Sequence, residues 1–262
     1  MRHQQGFTLI ELVVVLILLL VLTVGTTQFI VGTAEGYGAT VRRDSLAGSA
    51  RSAVERMNRE VRNALPNSAR AANGCLEFVP IVAASNYLDI PLITASSSFS
   101  SIPYTEEPTI GRVAVYPIDT APIYQLSNNS VVTQQPASTA ASDLVSLTSA
   151  VTVTLAASHT FPAASPFDRY FMVATPVSFC LVGTDLFRYQ NYGFIASQPD
   201  PALLPAAEPN RQLLAVNMTS ATPFQVVPPD LQRNGLVMLD LSVSDQGETL
   251  RIQTEVQMRN VP

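Results

Sequence analysis

Residues 7–24, FTLIELVVVLILLLVLTV, are apolar except for Thr8, Glu11 and Thr23. As an α-helix this segment would be about 27 Å long, close to the hydrocarbon thickness of a bilayer. The residues before it carry one positive charge, at Arg2. Because positively charged flanks stay in the cytoplasm, the sequence predicts a membrane-spanning helix followed by an exported domain.

Two ordinary interpretations of this segment compete. Thr23 and Gly25 could form the small-x-small cleavage site of a secretory signal, and the length also suits a permanent anchor. Neither interpretation explains Glu11, because an ionisable side chain within an apolar helix typically costs a few kcal/mol and usually has a partner. A glutamate that reaches towards the lipid head groups from near the helix end is the simplest alternative.

The order of residues around this glutamate is distinctive. Gly6-Phe7-Thr8-Leu9-Ile10-Glu11, followed by an apolar stretch, closely resembles the processing and methylation segment of type IV pilins and type II secretion pseudopilins. The resemblance implies that a prepilin peptidase cuts between Gly6 and Phe7 and that the new amine of Phe7 is N-methylated. It also implies that Glu11 neutralises the N-terminal amine of a neighbouring subunit. Such buried charges are costly alone and tolerable as a pair, which could set the register between subunits.

The chain after the apolar segment contains four glycines between residues 25 and 38. Each lowers helix stability by about 1 kcal/mol relative to alanine, so this stretch is either a loop or a soft helix. A continuous helix is favoured because helical periodicity resumes immediately. One apolar stripe consists of Ala50, Val54, Met57, Val61 and Leu65. Pro66 ends the predicted helix, which therefore spans residues 7–65.

The remaining residues predict a β-rich head with one clear local motif. Short runs rich in β-branched and aromatic residues predict strands at 111–116, 150–155, 170–174 and 177–182. Segments rich in Ser, Thr and Ala at 94–101 and 136–149 predict loops, within a loop-rich region at 85–225. Alternation in residues 235–243 and 249–258 predicts a C-terminal β-hairpin with a polar turn at 244–248.

The predicted fold class is α+β, in the form of the type IV pilin fold that the resemblance implies. Its parts are a leader peptide at residues 1–6, an N-terminal helix at residues 7–65 with a transmembrane first half, and a β-rich globular head at residues 66–262. The second half of the helix is expected to pack on the head.

Charge is divided between the helix and the head. Residues 42–70 contain seven Arg and three acids, a net charge of +4, whereas residues 71–262 contain seven Arg and 15 acids, a net charge of −8. The net charge of the chain, −5, argues against a nucleic-acid partner. A solvated helix face beside an acidic head explains this distribution. Alternatively, the basic helix meets the acidic head of a neighbouring subunit, and salt would weaken that contact.

The composition excludes much enzyme chemistry. The chain has no Lys, and its two His are His3 and His159. It therefore lacks a Schiff-base lysine, a Walker-type phosphate loop and a multi-histidine metal site. No G-x-S-x-G motif accompanies His159, so a catalytic triad is not expected. Asp240, Asp245 and Glu248 surround the final predicted turn without the spacing of an EF-hand. No enzyme activity, cofactor or metal is predicted.

Cys75 and Cys180 are the two cysteines of the chain. An even pair in an exported domain predicts one disulfide, and two free buried thiols are the alternative. A bridge closing a loop of roughly 105 residues would stabilise the head by on the order of 4–5 kcal/mol in the chain-entropy model.

A looser resemblance continues through the arginine-rich helix, the CLEF segment from Cys75 and the RNVP ending at residues 259–262. On these segments the chain is most similar to MshO-type minor pilins of mannose-sensitive haemagglutinin (MSHA) pili, which are relatives of the J-type pseudopilins (GspJ/PulJ). The resemblance implies a low-copy subunit that acts in initiation and at the pilus tip. A J-type pseudopilin of type II secretion and a pilus-tip adhesin head are the alternatives, and a membrane-anchored enzyme is disfavoured by the composition.

The resemblance also implies partners and a location. The partners are a prepilin peptidase/N-methyltransferase, other major and minor pilins, and the inner-membrane assembly platform. The location is the inner membrane, crossed once with the head in the periplasm, and then the pilus at the cell surface.

Overall fold

The computed structural model describes residues 8–102, 110–139, 150–229 and 234–258. Helix α1 spans Leu9–Arg62 without interruption, so the glycine-containing stretch is helical, as expected. The helix ends before residue 65 because the backbone there pairs with the head: the Leu65 N–H donates to Val79 O at 2.7 Å. Position 65 also precedes Pro66, and a residue before proline disfavours the helical conformation.

The other elements are fourteen strands, the short helix α2 (Thr120–Tyr124) and one turn of 3-10 helix (Pro201–Leu203). The strands are β1 (Arg70–Ala72), β2 (Cys75–Phe78), β3 (Ile81–Asn86), β4 (Ser96–Ser101), β5 (Ile110–Val115), β6 (Ala137–Thr139), β7 (Val151–His159), β8 (Arg169–Val173), β9 (Val177–Val182), β10 (Asp185–Tyr189), β11 (Arg211–Ala215), β12 (Phe224–Val227), β13 (Leu236–Asp245) and β14 (Glu248–Gln257). These counts refer to the described residues. The strands form three antiparallel sheets with the orders β1-β2-β9-β10-β11, β12-β13-β14 and β3-β8-β5-β6-β7-β4.

The chain divides into two compact units, Met1–Gly48 and Ser49–Pro262. In the second unit the last turns of α1 bury the apolar stripe, as the periodicity predicts: Ala50, Val54, Met57, Val61 and Leu65 are all buried. The Glu60 carboxylate accepts from Arg56 Nε, four residues earlier on the helix, at 3.0 Å. It also accepts from Arg188 Nε of β10 at 2.9 Å, so an ion pair ties the helix end to the five-stranded sheet.

The six-stranded sheet closes on itself. Its two outer strands, β3 and β4, meet at a bridge between Tyr87 and Ser101, where the Leu88 N–H donates to Ser100 O at 2.8 Å. The enclosed core contains large side chains from all around the sheet, including Phe99, Tyr170 and Met172. Closure pairs the adjoining ends of the two outer strands, which would otherwise be exposed edges there.

The prediction of a loop at 94–101 was wrong; of the predicted loop at 136–149, residues 137–139 form β6 and residues 140–149 lie outside the described residues. Residues 96–101 form β4, whereas less than half of the described part of 85–225 belongs to strands, so that region is rich in loops as expected. Serine is a weak strand former, but Phe99 is 3% exposed and holds β4 against the core. The Ser101 hydroxyl, also buried, bonds to the Tyr170 hydroxyl at 2.9 Å. Burial of one aromatic residue and pairing of hydroxyls thus override local propensity.

The C-terminal hairpin is confirmed, with a tighter turn than predicted. Strands β13 and β14 stay paired up to Asp245 and Glu248, leaving Gln246 and Gly247 as a two-residue turn. Both turn residues have positive φ, 45° and 87°, as a type I′ turn requires. Alternate residues of β13 are fully buried, which explains the period-two pattern.

A glycine in β5 marks a close approach of two backbones. A Cβ added at Gly111 would lie 2.8 Å from the backbone O of Val173 in β8. A Cβ at Gly235 would lie 2.9 Å from Met258 Cε, which is the mobile end of a side chain. Position 111 therefore requires glycine much more strictly than position 235 does.

These elements make the fold class α+β. The end of a long apolar N-terminal helix packs on a β-rich head of antiparallel sheets, which is consistent with a pilin fold.

Candidate functional site

The start of α1 contains a helix cap that the sequence signals. Thr8 precedes the first helical residue, and its Oγ1 accepts from the Glu11 N–H at a long 3.4 Å. Its carbonyl accepts from the Leu12 N–H at 3.2 Å. Thr-x-x-Glu at a helix start is the pattern of a capping box. A carboxylate in the first turn also interacts favourably with the helix dipole, so Glu11 is suited to this position within its own chain.

The sequence motif assigns roles to three residues: Gly6 and Phe7, which precede this turn, and Glu11, which lies within it. Gly6 and Phe7, the proposed cleavage and methylation positions, lie outside the described residues. Glu11 is exposed, and no ion pair to its carboxylate is present among the residues that the structure describes. The roles of all three residues remain predictions from the sequence motif.

The first half of α1 exposes a continuous apolar surface. From Leu9 to Val24 its large side chains are at least 43% exposed, and Leu9 reaches 83%. The helix is long and apolar enough to cross a membrane, and none of its most apolar window is buried in the chain. Such a surface requires lipid or other helices around it.

The threonines of this helix satisfy their own hydroxyls. Thr23 Oγ1 donates to Leu19 O at 2.7 Å, Thr27 to Thr23 O at 2.7 Å, and Thr33 to Phe29 O at 2.9 Å. Hydrogen bonds to the carbonyl four residues earlier remove the cost of placing a hydroxyl in an apolar environment. These threonines therefore do not prevent the helix from lying in a bilayer.

Cys75 and Cys180 are joined by a disulfide. The two residues lie directly opposite each other on β2 and β9, neighbouring strands in the middle of the five-stranded sheet. Both are buried, at 1% and 0% exposure. The bridge connects the beginning of the head with a strand 105 residues later.

A buried ion pair lies on the same sheet and was missed at the level of sequence. Arg70 of β1 is opposite Glu77 of β2, and its Nε donates to Glu77 Oε2 at 2.6 Å. The guanidinium also donates to the carbonyls of Ile195 and Ala196 at 2.7 and 2.6 Å. It lies 3.6 Å from the centre of the Tyr124 ring. One cation thus holds a strand, a helix and a loop together.

Burial dominates the electrostatics of this pair. The Glu77 side chain is fully buried, and burial raises its pKa above the ordinary 4.5, although the hydrogen bond and the charge of Arg70 act in the opposite direction. The Tyr192 hydroxyl donates to Glu77 Oε1 at 3.1 Å. Burial and the Glu77 charge raise the pKa of Tyr192, which therefore stays a neutral donor.

Two further titratable groups of the head, His159 and Asp240, are held by hydrogen bonds within the head. His159 is 2% exposed, its Nε2 bonds to Ser130 O at 2.9 Å, and burial lowers its pKa. At the hairpin, Asp240 bonds to both Arg251 and Gln253, and the Arg251 hydrogen bond lowers its pKa. Among the described residues, no group of three or more His, Cys, Asp and Glu is arranged to hold a metal ion.

The comparison with protein families gives one match, at the N-terminus. Residues 1–27 match the family model of the prokaryotic N-terminal methylation motif. Searches of curated proteins and of solved structures found no match to the chain. The motif supports a type IV pilin-like or pseudopilin subunit, hence a structural subunit rather than an enzyme. It implies processing by a prepilin peptidase and assembly with other pilins, and with the apolar helix it suggests a membrane-anchored protein.

Proposed function

We propose that this chain is a minor subunit of a type IV pilus of the MSHA type, similar to MshO, that acts in initiation or at the tip. The observation that carries the proposal is the methylation motif at residues 1–27 on a helix whose apolar surface is uncovered. The loose resemblance of the arginine-rich helix, the CLEF segment and the RNVP ending supports the finer assignment.

In this proposal the precursor is held in the inner membrane with its head in the periplasm. A prepilin peptidase/N-methyltransferase removes residues 1–6 and methylates the amine of Phe7. The assembly platform then transfers the helix at residues 7–65 from lipid to the filament. There the apolar side chains contact the helices of other major and minor pilins, and the head at residues 66–262 reaches the cell surface.

Glu11 has the central role in the transfer. Its carboxylate is exposed in the first turn of α1, where the N-terminal amine of a neighbouring subunit can pair with it. The helix cap by Thr8 fixes the backbone at this position. Pairing removes two charges from an apolar environment at once, so a correctly placed neighbour is favoured over a shifted one.

Processing is tested by the mass of the mature chain. Cleavage after Gly6 and one added methyl group predict a defined N-terminal peptide, and Gly6→Val should leave the precursor uncut. An unchanged cleavage pattern in this variant would contradict the peptidase assignment.

Assembly is tested separately with Glu11→Val, which should be cut normally and incorporated poorly into pili. The matched control is Glu35→Val, because Glu35 is also exposed on α1 and lies outside the first turn. Normal piliation with Glu11→Val, or an equal defect with Glu35→Val, would contradict the charge-pair role.

The main alternative is a J-type pseudopilin of a type II secretion system, since the methylation motif is common to both. Deletion of the gene distinguishes the two functions. Loss of surface pili with intact protein secretion supports the pilus subunit, and the reverse result supports the pseudopilin. A pilus-tip adhesin predicts a third result, in which a variant with an altered head makes normal pili that no longer bind their surface.

A further inference from the structure

Strand β14 is the outer strand of the three-stranded sheet and has a free edge. The order is β12-β13-β14, and among the described residues no strand pairs with the outer side of β14. Ten consecutive residues of β14 pair with β13 without a register shift. The strand is therefore long, regular and open, which is the geometry that accepts another strand.

The other outer strands have features that discourage such pairing. Strand β1 has three residues, and β12 has four residues followed by Pro228 and Pro229. The pairing of β11 with β10 contains a register shift, and β3 and β4 meet each other when the six-stranded sheet closes. Short length, proline, bulges and closure are the usual protections of sheet edges. Strand β14 contains neither proline nor glycine, and the chain has no lysine.

The inner face of β14 is also incompletely covered. On the neighbouring strand, Leu241 and Val243 are fully buried. Their partners Ile252 and Leu250 on β14 stay partly exposed. A further strand beside β14 would cover these apolar side chains and satisfy the outward backbone groups together.

The side chains of β14 are complementary to themselves in one antiparallel register. We propose that β14 pairs with β14 of a second copy of this chain, about a two-fold axis at Gln253. In this register Arg251 faces Glu255 of the second copy, twice by symmetry, and Leu250 faces Val256. Registers centred on Arg251 or Glu255 place like charges opposite each other, which destabilises an antiparallel pair. Arg251 already bonds to Asp240, so it would lie between two carboxylates.

The dimer joins the two three-stranded sheets into one six-stranded sheet. Its interface is isologous, because the same nine residues, 249–257, contribute from both copies. This inference does not depend on the pilus assignment, since it rests on the head alone. Two membrane-anchored copies could form it before either enters an assembly.

Cysteine cross-linking of the full chain in its membrane tests the register. The native cysteines are both in the disulfide, so an introduced cysteine is the sole thiol. Gln253→Cys should form a disulfide-linked dimer under mild oxidation, because residues facing each other across antiparallel strands have Cα atoms about 4.5–5.5 Å apart. Thr249→Cys alone should not, because its two copies would be about 27 Å apart along the strands.

Thr249→Cys and Gln257→Cys provide the matched test, because residue 249 of one copy faces residue 257 of the other in the proposed register. Both side chains are exposed. A mixture of the two variants should cross-link several-fold more than either alone. Glu255→Arg added to Gln253→Cys should reduce the dimer several-fold, because Arg251 then faces an arginine. The proposal is overturned if Gln253→Cys stays monomeric, or if Thr249→Cys alone cross-links equally well, since that would indicate random collision or association through the membrane helices.

Discussion

Removing the charge of Arg70 while keeping its apolar stem, as in Arg70→Met, tests the buried pair of the head most directly. The Glu77 carboxylate would lose its cation although its side chain is 0% exposed. The carbonyls of Ile195 and Ala196 would lose their donors. The prediction is a large loss of stability that depends on pH in a specific direction.

The size of the loss follows from the surroundings of the pair. Removal of one partner from a buried ion pair typically costs about 3–5 kcal/mol. The carboxyl group can avoid an uncompensated charge by taking up a proton. Protonating a carboxyl group of ordinary pKa 4.5 at pH 7 costs about 3.4 kcal/mol, at about 1.36 kcal/mol per pH unit. Protonation therefore limits the destabilisation that the unpaired carboxylate can cause to about 3.4 kcal/mol. We therefore expect Arg70→Met to lower the free energy of unfolding by about 3–4 kcal/mol at pH 7.

The pH dependence has a defined sign. The folded-state pKa of Glu77 is raised, so the folded chain binds this proton more tightly than the unfolded chain. The resulting stability is fully present below pH 4.5 and is lost as the pH rises through the folded-state pKa. Without Arg70 the pKa rises further, so the defect of Arg70→Met should shrink between pH 7 and pH 4.5. Adding Glu77→Gln should recover most of the lost stability at pH 7.

The assay is thermal unfolding of the full chain in detergent, followed by near-UV circular dichroism of its eight tyrosines, since it has no Trp. A loss of 3–4 kcal/mol corresponds to a fall in Tm of roughly 6–16 °C. The control is Arg251→Met, which breaks a pair with side chains 59% and 31% exposed and should lower the Tm much less than Arg70→Met does, because solvent screens this pair. A defect that is independent of pH, or equal to that of the control, would refute the reasoning.

Three further predictions concern the packing and titration of the head. Gly111→Ala should cost about 1–3 kcal/mol in denaturant unfolding, because the new Cβ meets backbone, whereas Gly235→Ala should cost less, because a flexible side-chain end can move. Replacing Cys75 and Cys180 together by Ala should cost on the order of 4–5 kcal/mol in the same measurement, and a loss below about 1 kcal/mol would contradict the entropic account. Burial lowers the pKa of His159, so the stability that the neutral side chain contributes is present above pH 6.5 and lost as the pH falls through the folded-state pKa. The Tm of His159→Gln should therefore fall less between pH 7.5 and pH 5 than the Tm of the native chain. An equal fall of Tm in both proteins would contradict this.

The helix and the C-terminal hairpin could be predicted because their periodicities are local. The apolar stripe from Ala50 to Val61 recurs at helical spacing, and β13 alternates along its whole length. The end of the helix could not be predicted to the residue, since the pairing of Leu65 with Val79 depends on the position of the head. The closure of the six-stranded sheet is likewise non-local.

Two further local features, a turn in the head and the cap of the helix, also have recognisable sequence patterns. Asn73-Gly74 is a strong type I′ turn signal, and the two residues have φ of 53° and 70°. That turn sets the register that places Arg70 opposite Glu77, so the buried pair follows from it. Thr8 and Glu11 similarly have the spacing of a capping box. Burial of the pair, in contrast, depends on strands and loops distant in sequence.

The disulfide between β2 and β9 has a consequence for how the head is organised. Phe78 and Val177 are partners at the end of the same two strands, and all six strands of the closed sheet, β3 to β8, lie between them in sequence. The closed sheet is therefore an insertion whose two ends are adjacent and covalently fastened. Its size and loops can change without altering the distance between the strands that hold it. A head built in this way can acquire a new outer surface while its connection to the helix stays the same.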